Sequence, residues 1–126
     1  MKKVLRVSVI AAAITLLPLS CFALMHHGWG GYLDAEFEIT GTVAMPVSLA
    51  GPHATMTIKG TDGHDWLLTL APPPLTLSAG LKDGMIPAGT KVTAHGHRHH
   101  DMARYEVKTE RLTIDGKTYK VYPDHP

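Results

Sequence analysis

The sequence predicts an all-β fold, a small OB-like Greek-key barrel of about five or six strands with one short helical turn. Three observations predict it. Short segments alternate apolar and polar residues, Asp-Gly pairs punctuate them at Asp62-Gly63 and Asp115-Gly116, and a Pro72-Pro73-Pro74 run divides three early strands from the later ones.

Taken in order, Lys2, Lys3 and Arg6 precede an apolar run from Val7 to Leu19 and a small-residue exit at Cys21 and Ala23. Charged start, apolar middle and small exit predict a cleaved signal peptide over 1–23 and a periplasmic mature chain. The run is short for a membrane span, which needs roughly 20 residues. Residues 24–35, with Gly28, Gly30 and Gly31, predict an irregular N-terminal arm, and 36–126 the barrel domain.

Within the barrel, Phe37, Ile39 and Val43 mark a first strand over 36–45, bent at Gly41, with a loop over 46–52. Met56 and Ile58 mark a second strand, and Trp66, Leu68 and Leu70 a third. The prolines then stop the ladder, and 75–81 suit one or two helical turns ending at Gly80. Val92 and Ala94 face inward on a strand over 90–99. A hairpin tip at 100–103 leads into a strand over 104–114, and 117–122 form the last short one. Phe37, Val43, Ile58, Trp66, Leu68, Leu70, Val92, Val107 and Leu112 are the expected core, with Met45, Met56 and Met85 as gap fillers.

Cleavage after Ala23 removes the sole cysteine, so no disulfide supports the mature domain. It also leaves 9 basic against 11 acidic side chains, which argues against nucleic acid as a partner. No nucleophile motif, paired carboxylates or phosphate-cradling loop is visible, so the expectation is a binding protein and not an enzyme.

Histidine carries the functional signal: the chain has nine, all after the leader. With Leu24 first, the free amine, two backbone amides and the third-position His26 can close the square plane that Cu(II) or Ni(II) prefers, with His27 adjacent. The second group is His95-Gly96-His97-Arg98-His99-His100. Strand alternation places His95, His97 and His99 on one face, opposite Val92 and Ala94 and so expected to be exposed. Neighbouring members, about 6.8 Å apart along the strand, can share a Cu(II) or Zn(II) ion. His100, Asp101 and Met102 at the hairpin tip can complete a site. His53 and His64 are read as strand or turn ends. The leading expectation is a periplasmic carrier or buffer of copper, before zinc or nickel. The alternative is an accessory module that binds a protein partner through the barrel edge and the aromatic arm of Trp29 and Tyr32.

The run His26-His27-Gly28-Trp29-Gly30-Gly31-Tyr32 resembles the opening of small secreted bacterial proteins grouped as domain of unknown function 6152. Gly41-Thr42-Val43, Pro52-His53, Asp62-Gly63 with Trp66, Pro74-Leu75, Gly80-Leu81, Gly89 with Val92 and Asp115-Gly116 follow in matching order. The chain departs from that pattern where Gly51 stands in place of an Asn before Pro52-His53. The resemblance implies a periplasmic location and a small barrel, and no particular activity.

Overall fold

The computed structural model describes residues 29–125. Its elements are β1 (Tyr32–Ser48), β2 (Thr55–Gly60), β3 (Asp65–Thr69), α1 (Pro73–Ser78), β4 (Lys91–His99), β5 (Glu106–Ile114) and β6 (Lys117–Lys120). The sheet runs β3-β2-β1-β4-β5-β6, and β3 also pairs with β5, in parallel, through Leu67↔Glu106 to Thr69↔Lys108. That last pairing closes a five-stranded ring of β1, β2, β3, β5 and β4, with β6 added outside β5. Closure with a helix between the third and fourth strands is the expected OB-like barrel.

β1 is longer than the sequence suggests. It begins at Tyr32, within the expected arm, and runs through the expected loop to Ser48. One strand can serve two neighbours over 17 residues because it is irregular. Its register shifts between Tyr32 and Glu36 against β4, and on both sides of Met45 against β2. Those shifts correct one core assignment: Val43 and Val47 are buried, but Met45 between them is turned to solvent.

Two glycines let strands cross closely. A Cβ at Gly41 would lie 2.2 Å from the Lys59 carbonyl oxygen, and one at Gly96 would lie 2.0 Å from that of Lys108. Both clashes are with backbone, which cannot swing aside. α1 starts on its proline pair, and Thr76 ties its buried side to the Ala71 carbonyl at 2.8 Å.

The core contains the expected residues and adds Val47, from the expected loop, with Leu81, Ile86, Tyr119 and Val121. Val43, Ile58, Trp66, Leu68, Leu70, Val92, Val107 and Leu112 are buried in one cluster, and the half-buried Phe37 stacks on Trp66. No described helix is long and apolar enough to cross a membrane.

Candidate metal centre

Val107 and Leu112 are both fully buried on β5. They are five positions apart, an odd number, so strict alternation would put them on opposite faces. The strand therefore slips once. Across the β4–β5 ladder His95 faces Arg111 and Gly96 faces Thr109, which leaves Glu110 as the extra residue. A bulge re-aims a side chain, and here the re-aimed side chain is a carboxylate only 2 % exposed.

Glu110 organises its surroundings at both ends. Its carbonyl accepts the amides of Val121, at 2.8 Å, and Tyr122, at 3.2 Å, which fastens the C-terminal tail beside the bulge. Its Oε1 lies 2.7 Å from His97 Nε2 and 2.6 Å from His125 Nδ1. Its Oε2 is buried without a hydrogen-bond partner among the described residues.

The His97 ring is oriented from behind. Nδ1 donates to the Leu33 carbonyl at 2.8 Å. A carbonyl can only accept, so Nδ1 keeps its hydrogen and Nε2 is the nitrogen turned to the carboxylate. Metal-ligating histidines are commonly held by such a bond on the far nitrogen. Trp29 stacks on the His125 ring at 4.1 Å and 15°, and meets His97 and Tyr122 edge-on. Beside the group opens a cleft of about 330 Å³ lined by Trp29, Tyr32, Leu33, Asp34, Glu36, His97 and His125. One donor atom each from His97, Glu110 and His125 lies within 4.8 Å of the others, so these three residues can hold a metal ion. A second such group is Glu36, His95 and Glu110.

The strand histidines do not form the open face the sequence suggests. They share a face of β4, but His97 and His99 are buried, His97 against Trp29 and the tail residue His125 and His99 against Tyr32. His97 meets its partners across strands, in Glu110 and His125, instead of pairing along its own strand with His95 or His99. His99 Nδ1 accepts the Asp101 amide at 3.0 Å, and its ring packs on Tyr32 and His100, so it shapes the hairpin. His100 is exposed, and neither it nor His99 falls in a metal-holding group among the described residues. Met102, at the same tip, is also exposed. His95 is mostly covered, its Nε2 3.3 Å from Glu36 Oε2 and its Nδ1 3.6 Å from Glu38 Oε2. The first contact has ion-pair distance without hydrogen-bond alignment, since Nε2 has no partner by geometry. His26 and His27 lie outside the described residues.

Glu110 and His125 were not legible as site residues. One signal was present: Val107 and Leu112 have the wrong parity for one unbroken strand, which demands a bulge near Glu110. Nothing local marks His125, because only the folded tail brings it back to β5.

Two further charged groups border the centre. Lys108 is 3 % exposed and lies over the rings of Trp29 and Tyr122, with Nζ donating to His53 Nε2 at 3.3 Å. Burial pushes its ammonium below the ordinary lysine range, with Glu106 opposing. Burial, then the nearby Lys108 charge, pushes the His53 imidazole down. On the other side Tyr32 donates to Glu106 Oε1 at 2.7 Å, joined there by Thr69, while Arg104 donates to Oε2. Burial and that carboxylate raise the Tyr32 phenol to about 12. Burial alone would raise Glu106, but Tyr32, Arg104 and Thr69 together hold it below the usual carboxylate range.

No family model matches the chain, and no curated protein is significantly similar to it.

Proposed function

We propose that this protein binds a divalent first-row transition ion through His97, Glu110 and His125 and acts in the periplasm as a carrier or buffer, for copper before zinc or nickel. The observation that carries this reading is the oriented pair: His97 Nδ1 is committed to Leu33, and its Nε2 converges with His125 Nδ1 on one buried carboxylate oxygen.

The donor set is two imidazoles and a carboxylate, with no sulfur. That favours Zn(II) or Cu(II) over Cu(I), and the divalent order of affinity puts copper first. Three protein ligands leave a position toward the cleft for water or for a receiving ligand, which suits exchange better than permanent storage. The N–O contacts of 2.7 and 2.6 Å are those of shared hydrogens. Two ligands about 2.05 Å from a tetrahedral ion stand about 3.3 Å apart. Loading therefore displaces the bridging hydrogens and spreads the group by roughly 0.6–0.7 Å. His125, on the tail, is the member freest to move.

Export by the 1–23 leader supplies the compartment, and cleavage after Ala23 would add His26 as a separate amino-terminal copper ligand. The test is a Zn(II) and Cu(II) titration of exported protein carrying His26→Ala and His27→Ala. The tight binding step should survive those changes and be weakened at least tenfold in His97→Ala and in His125→Ala. Binding that is unchanged in both would refute the assignment.

A further inference from the structure

We propose that Glu110 is a bridging carboxylate and that the centre takes two cations. One would sit among Oε1, His97 and His125, and a second among Oε2, His95 and Glu36. This rests on the metal-binding reading above and extends it.

The two metal-holding groups meet in a single residue, Glu110. Its Oε1 is already shared by His97 and His125, whereas Oε2 is buried with no partner among the described residues. A buried carboxylate oxygen without a hydrogen-bond partner has lost its hydration for nothing in return, so such atoms are rare without a use. His95 Nε2 is a second buried atom without a partner among the described residues, and it belongs to the same group as Glu110. An acceptor and a ring nitrogen are thus both unsatisfied next to Glu36 Oε2, which is 3.3 Å from His95 Nε2. A cation between them would satisfy all three. Glu36 also lines the cleft that reaches His97 and His125, so one opening serves both positions.

The positions are unequal. The first has two imidazoles around a buried carboxylate. The second has one imidazole and the side chain of Glu36, which is 58 % exposed. The second should therefore fill later and empty first. Carboxylate-bridged metals lie about 3.5–4 Å apart, close enough for two Cu(II) spins to couple.

The experiment uses mature exported protein with His26→Ala and His27→Ala, so that the amino terminus takes no ion. Zn(II) stoichiometry is read by calorimetry, and Cu(II) coupling by electron paramagnetic resonance. The expected result is two Zn(II) equivalents in two steps. His95→Ala should keep the tight step and lose the weak one, and His125→Ala should weaken the tight step at least tenfold. A half-field resonance should appear at two Cu(II) equivalents and vanish in His95→Ala. His95 is on the outer face, and an unchanged urea midpoint verifies that this variant folds. One equivalent, unaffected by His95→Ala, would overturn the bridge and leave the single-ion reading standing. Two equivalents without spin coupling would also overturn it. No binding at all would remove both readings.

Discussion

His97 and Glu110 meet on the outer face of the barrel with Nε2 2.7 Å from Oε1, while the opposite ring nitrogen is tied to the Leu33 carbonyl at 2.8 Å. This links β4, the β5 bulge and the start of β1 through one imidazole. Both side chains are nearly solvent-free. Removing one partner of a buried hydrogen bond leaves the other unsatisfied, at about 1–3 kcal/mol or more. Glu110→Ala removes the partner of both His97 and His125 and is expected to lower metal-free stability by about 3 kcal/mol on that scale. Urea unfolding checks it, and a loss below about 0.5 kcal/mol, the size of an ordinary surface change, would show that the carboxylate anchors nothing.

Trp29 reports on the centre. Its ring stacks on His125 at 4.1 Å, whereas the other tryptophan, Trp66, is buried in the core. In protein carrying His26→Ala and His27→Ala, Cu(II) bound at His125 should quench most of the Trp29 emission and little of the Trp66 emission. Trp29→Phe should remove most of that response. Equal quenching of both proteins would place the copper elsewhere.

Metal should stabilise the fold through the same residues. Ion at a hundredfold its dissociation constant adds about 2.7 kcal/mol when only the folded chain binds it. Thermal unfolding of the wild type should shift upward with Zn(II), and His97→Ala should respond far less at the same concentration. A matching rise in His97→Ala would contradict the assignment.

Gly96→Ala tests the close crossing of β4 and β5. The new methyl carbon would fall 2.0 Å from the Lys108 carbonyl oxygen and 3.0 Å from the Thr109 Cα. Overpacking of this kind costs roughly 1–3 kcal/mol or more. The strands must separate beside the bulge, so Zn(II) affinity should fall along with stability. Full affinity in a destabilised variant would separate the centre from the ladder.

The Tyr32–Glu106 contact makes an alkaline prediction. The folded phenol holds its proton to about 12, against 10.0 for a free tyrosine. Its contribution to stability is therefore whole below pH 10 and is lost as pH rises toward 12. Tyr122 is raised by burial and adds in the same direction. Tyr32→Phe should be less stable at neutral pH and should decline less steeply from pH 10 to 12. A decline as steep as in the wild type would assign the titration to other groups.

The strands, the turns and the strand-borne centre of the core were legible in the chain because they depend on neighbours in sequence, whereas Val47, Leu81, Ile86 and Val121 join that core only through the closed fold. Alternation marks Ile58, Trp66, Leu68 and Val92 as inward whatever they pack against, and Asp115-Gly116 marks a reversal between any two strands. The shared face of His95, His97 and His99 follows from the same period. Whether that face meets water does not, because its covering comes from Trp29 and His125, 68 and 28 positions from His97. The parity of Val107 and Leu112 demanded a bulge between them, but the tertiary structure alone decided that Glu110 is the residue it releases, that Leu33 orients His97, and that the tail returns His125 to the same carboxylate oxygen. Period-two patterning sets which side of a strand a residue takes; only closure of the barrel and docking of both ends set what it meets there.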